Sequence, residues 1–115
     1  MNKYHAKKII IDGEQFDSKA EYRRWRELKL LERAGDIEDL RRQVRFELIP
    51  RQTNPVTKEL LERPVFYIAD FVYFDVRSFK KVVEDVKGHM TPEYVIKRKL
   101  MLYLNDIQIR EVRMR

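Results

Sequence analysis

Two acidic residues and one lysine stand in strand-like segments of this chain, where ionisable side chains are unusual. Asp70 interrupts the apolar run 65–74, and Asp85-Val86-Lys87 follows fifteen residues later in a second apolar segment. Charged side chains are seldom buried unless they are paired, bind a metal or serve a function. Two carboxylates and a lysine on neighbouring strands can hold a hard divalent cation beside a phosphate, which is the minimal equipment for hydrolysing a phosphodiester.

The period of a β-strand decides which of these side chains can meet. Residues two apart project to the same face, so Asp85 and Lys87 point together and Glu84 points the opposite way. An antiparallel neighbour carrying Asp70 can place its carboxylate beside Asp85, within reach of a shared Mg²⁺ or Mn²⁺. We therefore predict that Asp70 and Asp85 are metal ligands. Lys87 would position a water or neutralise charge in the transition state, and its two acidic neighbours favour electrostatic stabilisation over general-base action.

A first helix is predicted from signals at both of its ends. Ser18 followed by Glu21 is typical of a helix start, and Gly35 should end the helix after about Ala34. One side of this helix carries Ala20, Glu21, Arg24, Trp25, Leu28 and Leu31. Glu21 lies near the middle of that stripe. Ahead of the helix, residues 1–15 are expected to form a basic arm or a short strand.

The rest of the chain alternates strand and helix signals. Residues 44–48 have the period of a half-buried strand, residues 50–63 resemble a polar loop, and residues 107–112 form a last strand. Thr91-Pro92 predicts the start of a second helix. Its expected apolar side comprises Ile96, Leu100, Tyr103 and Leu104. The resulting order is helix, three strands, helix, strand, which indicates an α/β fold with a mixed sheet flanked by helices.

Composition limits the classes of protein to consider. The 115 residues fit one domain, predicted to span 1–115, and 25 Lys+Arg against 19 Asp+Glu give a net charge of +6, which favours a polyanionic partner. The absence of cysteine excludes disulfides, thiolate metal sites and thiol nucleophiles. No apolar stretch is long enough to cross a bilayer, and the first residues lack a secretion signal, so we expect no membrane partner and a cytoplasmic protein.

The motif and the element order together resemble the PD-(D/E)XK nuclease superfamily. Its core is αβββαβ, as in restriction endonucleases, and its motif is an Asp followed after a hairpin by Asp or Glu, any residue, and Lys. Three segments carry a narrower likeness to a family of small phage-encoded proteins placed in that superfamily: Phe16-Asp17-Ser18-Lys19-Ala20-Glu21, Tyr67-Ile68-Ala69-Asp70-Phe71 and Val83-Glu84-Asp85-Val86-Lys87-Gly88.

This resemblance implies a four-stranded mixed sheet and a metal-dependent DNA endonuclease, with Mg²⁺ or Mn²⁺ as cofactor. It implies that Glu21 completes the catalytic and metal-binding set and that the carbonyl of Val86 is a further ligand. Small stand-alone members of the superfamily include Holliday-junction resolvases, so branched DNA and a homodimer are expected. The setting would be the cytosol of a bacterium or of a phage-infected host. Lys97 and Lys99 are candidate contacts to the DNA backbone.

Each candidate residue also has a structural explanation. Asp85 and Lys87 can be the solvated face of an edge strand, and Glu21 can be the acidic partner of a capping box. Basic residues that flank an apolar helix face, such as Lys97 and Lys99, are usually only solvated. The alternative function is a non-catalytic nucleic-acid-binding or phage assembly protein that retains the nuclease fold.

Overall fold

The computed structural model describes residues 8–114. Helix α1 spans Lys19–Arg33, with the Ser18 hydroxyl accepting from the Glu21 amide as the N-cap. Gly35, at φ +83°, lies just beyond the C-cap residue Ala34, in the left-handed region that glycine tolerates best. The predicted start and end of this helix are confirmed.

A four-stranded mixed sheet forms the centre of the structure. Its strands are β3 (Ile37–Ile49), β6 (Val65–Asp75), β7 (Lys80–Val86) and β8 (Arg110–Val112), in the spatial order β3-β6-β7-β8. The pairs β3–β6 and β6–β7 are antiparallel, and β7–β8 is parallel. The parallel pair requires a crossover, which helix α2 (Pro92–Asn105) supplies, capped by Thr91 as predicted.

Two short hairpins accompany this sheet. Strands β1 (Ile9–Ile11) and β2 (Glu14–Phe16) pair around an Asp12-Gly13 turn, and β4 (Gln52–Thr53) pairs with β5 (Leu60–Glu62). The described part of the predicted N-terminal arm is therefore a hairpin, while residues 1–7 lie outside the described residues. The segment predicted as a polar loop contains the second hairpin, and β3 is much longer than the predicted strand 44–48.

Apolar side chains pack on both faces of the sheet. On one face Leu28 of α1 packs with Phe71 and Tyr73 of β6, and the ring of Trp25 stacks on Phe71 at 5.9 Å between centroids. On the other face the buried cluster comprises Leu48, Tyr67, Ala69, Val72, Val83, Tyr94, Met101 and Ile109. The predicted packing of helices on the sheet is confirmed, and the two helices cover opposite faces.

Strand β6 changes its alternation close to Asp70. Strict alternation would place Ala69 and Phe71 on one face, but Ala69 packs in the cluster under α2 and Phe71 packs under α1. Opposite this point on β3, Gln43 has a φ of +52°, an unusual value for a residue that carries a side chain. The interruption lies at the residue whose carboxylate the sequence singled out.

The predicted apolar side of α2 is wrong except at Leu100, which packs against the cluster under this helix. Ile96 is 59% exposed and Tyr103 is 85% exposed, whereas Tyr94 and Met101 are buried against the sheet. The helix has apolar residues on two faces, and only one of them contacts the core. Within residues 8–114, none of the helices is both long and apolar enough to cross a membrane.

Candidate active site

A cleft of about 630 Å³ opens where α1, β6, β7 and α2 converge. The predicted site residues that line it are Glu21, Asp70, Asp85, Val86, Lys87 and Lys97. This volume is within the range of small-ligand sites. Lys99 is exposed on α2 and does not line the cleft, so of the two lysines predicted to contact DNA only Lys97 is at the site, where it pairs with Glu93 at 3.0 Å.

At Asp70, a side-chain hydrogen bond takes the place of backbone pairing between β6 and β7. The β6–β7 register ends at Phe71 opposite Glu84, and beyond it the backbone N–H of Val86 donates to Oδ2 of Asp70 at 2.8 Å. Burial raises the pKa of Asp70 to about 9, and the charge of Asp85 and a hydrogen bond to its carboxyl group add to the rise. Asp70 and Asp85 are therefore neighbours, as predicted, and resist being ionised together.

Asp85 and Lys87 meet on one face of β7, again as the strand period predicted. Oδ1 of Asp85 lies 3.2 Å from Nζ of Lys87, and Oδ2 accepts from the hydroxyl of Tyr67 at 2.6 Å. The ammonium group also lies 3.5 Å from the centroid of the Tyr94 ring. Lys87 is thus held between a carboxylate and an aromatic face, with little freedom to move away from the acidic pair.

Tyr67 and Tyr94 are two site residues that the sequence analysis missed. Burial and the charge of Asp85 raise the pKa of Tyr67, while burial and a hydrogen bond to Glu111 raise that of Tyr94. Both hydroxyls therefore stay protonated and act as donors. A tyrosine inside an apolar strand needs a polar partner for its hydroxyl, and that requirement was the available signal for Tyr67.

Glu21 caps the start of α1 and also lies beside two other carboxylates. Its amide donates to Oγ of Ser18, and its Oε2 accepts from the amide of Asp17 at 3.1 Å, which is a variant of the capping box. Carboxylate oxygens of Asp17, Glu21 and Asp70 lie within 4.8 Å of one another. The capping glutamate is therefore also a member of the acidic cluster, together with Asp17, which the sequence analysis did not single out.

The second oxygen of Glu21 faces the β3 strand. Oε1 accepts from Nε2 of Gln43 at 3.1 Å and lies 3.5 Å from Nη2 of Arg42. Burial raises the pKa of Glu21, the nearby charge of Asp17 raises it further, and the Asp17 amide and Arg42 oppose the rise. Burial and acidic neighbours thus make both Glu21 and Asp70 harder to ionise, and a bound cation would relieve this cost.

Glu84 is fully buried and belongs to a different network on the opposite face of the sheet. Nε of Arg24 lies 2.6 Å from its Oε1, Nη2 lies 3.0 Å from its Oε2, and the hydroxyl of Tyr73 donates to Oε2 at 2.5 Å. These contacts raise the pKa of Arg24 above its ordinary value. The role that the sequence did not decide for Glu84 is therefore that of a paired charge joining β7 to α1.

The donor set of the cleft suits one class of cation. Carboxylate oxygens are the hard ligands that Mg²⁺ and Mn²⁺ prefer, and the cluster of Asp17, Glu21 and Asp70 contains neither sulfur nor imidazole within the described residues. Asp85 lines the same cleft but lies outside this three-residue group. The imidazole of His89 borders the cleft but is not part of this cluster. Chemically, the arrangement can hold a divalent cation next to one fixed ammonium group.

Fold and site together define a mixed α/β protein with an acidic cleft at the junction of its two central strands. A family model described as "Protein of unknown function (DUF1064)" matches residues 1–115, and the chain belongs to that family. Searches of curated proteins and of solved structures gave no match.

Proposed function

We propose that this protein is a metal-dependent DNA endonuclease of the PD-(D/E)XK type. The observation that carries the proposal is the meeting of Asp70, Asp85 and Lys87 from adjacent strands with Glu21 of α1 in one cleft. The residue types match those that the superfamily resemblance implies. Their placement on rigid elements is what a site that must hold reacting groups in fixed positions requires.

The order of elements supports the same proposal. Leaving out the two short hairpins, the chain runs α1, β3, β6, β7, α2, β8, which is the αβββαβ order of the superfamily core. Strands β6 and β7 are the central pair of the sheet and carry the motif. The motif, the element order and the position of the motif strands together point to this superfamily more specifically than the short motif does alone.

The acidic residues would hold the cation. Asp70 and Asp85 offer oxygens from the two strands, Glu21 and Asp17 offer oxygens from the start of α1, and the carbonyl of Val86 remains a candidate ligand. When bound, Mg²⁺ or Mn²⁺ supplies polarisation of a phosphate oxygen and lowers the pKa of a coordinated water. The fit is one of donor chemistry, since every side-chain donor is a carboxylate.

The remaining groups have roles that follow from their contacts. Lys87 places a fixed positive charge where negative charge develops on the phosphate, and the ring of Tyr94 and the carboxylate of Asp85 hold it there. Tyr67 occupies one oxygen of Asp85 and so fixes the orientation of that carboxylate. Lys97, at the side of the cleft, would exchange its pairing with Glu93 for a phosphate next to the scissile bond.

The substrate would be DNA recognised by shape and backbone rather than by a long base sequence. The candidate groups at the cleft are carboxylates and lysines, which would act on the phosphodiester backbone rather than on base edges. Branched DNA cut by a homodimer, in a bacterial or phage-infected cytosol, is the specific form of the proposal. Preferential binding of a four-way junction over duplex DNA, and a dimer by light scattering, would support that form.

Cleavage assays test the proposal directly. Linear, single-stranded and four-way-junction DNA are incubated with Mg²⁺ or Mn²⁺ and with wild type, Asp70→Asn, Asp85→Asn or Lys87→Met. Each variant should lose about 100-fold to 1000-fold or more of the rate, because each removes a group that acts on the developing charge or on its cation.

The matched control is Glu59→Gln, which removes an exposed carboxylate just before β5, outside the cleft lining. It should keep most of the wild-type rate. Equal cleavage by wild type and all four variants, or no cleavage of any substrate with either metal, would contradict the nuclease proposal and leave the non-catalytic alternative.

A further inference from the structure

Helix α1 presents one strongly basic face to solvent. The exposed cations on this face are Lys19, Arg23, Arg26, Lys29 and Arg33, at successive spacings of four, three, three and four residues. Residues three or four apart are neighbours on a helix surface, so five positive charges follow one another along a single line. We call this set the α1 basic face.

The acidic residues of α1 are engaged elsewhere and leave this face nearly unbalanced. Glu21 lies in the cleft, Glu27 pairs with Arg24 at 3.0 Å, and Glu32 accepts from the amide of Leu40 and lies 3.5 Å from Lys29. Within residues 8–114, Lys29 is the one member of the α1 basic face that takes part in an ion pair. Repeated like charges at this spacing disfavour the helix, and a polyanion laid along it would remove that penalty.

The face leads into the cleft. Lys19 follows Ser18 directly, and Ser18 and Asp17 both line the cleft. From Lys19 to Arg33 the helix rises about 21 Å, which corresponds to about six phosphates along one strand of B-form DNA. A strand with one phosphate at the acidic cluster can therefore continue along the whole helix.

We propose that the α1 basic face binds the phosphodiester backbone of DNA and aligns one strand with the cleft. The inference rests on the proposed function and deepens it by assigning the DNA-binding surface to α1. Arg26, Lys29 and Arg33 also border the groove between α1 and the β1–β2 hairpin, and the far wall of this groove carries Asp12 and Glu14. Because these two carboxylates repel phosphate, the DNA strand lies along the solvent side of the helix rather than inside the groove.

An anionic membrane is the less suitable polyanion for this helix. A helix that lies in a membrane interface needs a broad exposed apolar face beside its cations. On α1 the large apolar side chains Trp25 and Leu28 pack toward the sheet, and Leu30 is the large apolar residue left exposed beside the cations. The surface therefore offers charge without an apolar anchor.

The test measures DNA binding separately from cleavage. Binding of a fluorescent 30-base-pair duplex is followed by anisotropy in EDTA, at several salt concentrations, for wild type and for the triple variant Arg23→Gln, Arg26→Gln, Arg33→Gln. If each arginine contacts one phosphate, the slope of log K against log salt should fall by about 2 to 3, with at least a roughly tenfold loss of affinity near 0.1 M salt.

The control triple variant is Arg51→Gln, Lys58→Gln, Arg63→Gln, which removes the same charge from exposed positions in and beside the β4–β5 hairpin. It should keep most of the wild-type slope. An equal loss in both triple variants, an unchanged slope in the α1 variant, or tighter binding of the wild type to phosphatidylserine vesicles than to DNA would overturn the inference.

The outcomes separate this inference from the proposed function. If the wild type cleaves DNA and the α1 variant binds and cleaves it equally well, the inference fails and the nuclease proposal stands. If the α1 variant loses the salt slope but no protein cleaves DNA, the binding surface stands and the nuclease proposal fails. A wild type that neither binds nor cleaves DNA would overturn both.

Discussion

Glu84 and Asp85 are consecutive residues of β7, both buried, with very different surroundings. Glu84 is 0% exposed, and Arg24 and Tyr73 satisfy both of its oxygens. Asp85 is 5% exposed, faces the cleft, and shares its neighbourhood with the carboxyl group of Asp70. One strand therefore presents a closed ion pair on one face and, on the other, a carboxylate that contacts Lys87 and Tyr67 and crowds the carboxyl group of Asp70.

The difference separates a structural carboxylate from a candidate functional one. A buried pair with complete hydrogen bonding joins elements together, and little is left for a ligand to do. A carboxyl group whose pKa is raised by burial and by an adjacent carboxylate, as that of Asp70 is, destabilises the folded protein at high pH unless something compensates it, and such groups concentrate at functional sites. Glu84 and Asp85 are adjacent in the sequence, so their positions do not distinguish them. What distinguishes them is the set of side chains that α1 and β6 place beside each one.

The largest expected effect is on activity and comes from the Asp85 side. Asp85→Asn should lower the cleavage rate by about 1000-fold, equivalent to about 4 kcal/mol in the barrier, because it removes a charge that the proposed chemistry uses. Its unfolding free energy in EDTA should fall by less than that of Glu84→Gln, because relief of the repulsion with Asp70 partly offsets the lost pairing with Lys87. Urea unfolding beside the cleavage assay checks this; strong destabilisation would mean that Asp85 is structural.

The opposite result is expected for Glu84→Gln. Breaking a buried charge pair typically costs about 3–5 kcal/mol, because Arg24 is left without its counter-charge. Urea unfolding should show this loss. At a temperature where the variant stays folded, cleavage should remain within about tenfold of wild type, which in free energy is about 1.4 kcal/mol. A stable Glu84→Gln protein without activity would erase the distinction between the two faces.

A pH series in EDTA is expected to show the cost of the uncompensated site. Asp70 has an ordinary pKa of about 3.9 when unfolded and a pKa of about 9 when folded. The folded state therefore binds more protons between these values, so stability must fall as pH rises through this window. From pH 6 to pH 9 the melting temperature should fall by about 4 °C or more, the shift that about 1 kcal/mol produces in a domain of this size.

Asp70→Asn should remove most of that pH dependence, because the amide oxygen can still accept from Val86 but does not ionise in this range. The raised pKa of Glu21 acts in the same direction and leaves a smaller slope in the variant. Adding Mg²⁺ at pH 9 should raise the melting temperature of wild type more than that of Asp70→Asn. Parallel pH curves for the two proteins would contradict this account of Asp70.

The smallest expected effect concerns the carboxylate with two roles. Ser18→Ala removes the N-cap of α1 and should cost about 1 kcal/mol in unfolding free energy. Because Glu21 stands in the first turn of that helix, the same change should also weaken stabilisation by Mg²⁺ in thermal melts. Thr91→Ala, which removes the equivalent cap from α2, is the matched control and should leave the Mg²⁺ effect unchanged.

The sequence predicted best what depends on neighbours along the chain. The caps Ser18 and Thr91 were correct, and so was the common face of Asp85 and Lys87, because both follow from local periodicity. The apolar side of α2 was wrong except at Leu100, since Tyr94 and Met101 compete with an equally apolar second face and only packing decides between them. Periodicity alone cannot choose between two such faces.

The missing parts of the site depend on contacts between distant residues. Asp17 joins the cluster because the start of α1 lies against β6, and Glu84 is neutralised by Arg24, sixty residues earlier in the chain. Strand β6 also breaks its alternation near Asp70, which a period of two cannot anticipate. These features depend on tertiary packing. The pattern of apolar and polar residues along the chain carries little information about such packing.

The hydrogen bond from the Val86 amide to the Asp70 carboxylate fixes the spacing between β6 and β7 at the cleft. An aspartate has one methylene between backbone and carboxylate, so the gap between β6 and β7 at the mouth of the cleft is bridged by a spacer of fixed covalent length. A glutamate carries the same charge on a longer stem and would have to fold back or push the strands apart. The structure therefore constrains the length of the side chain at position 70 as well as its charge.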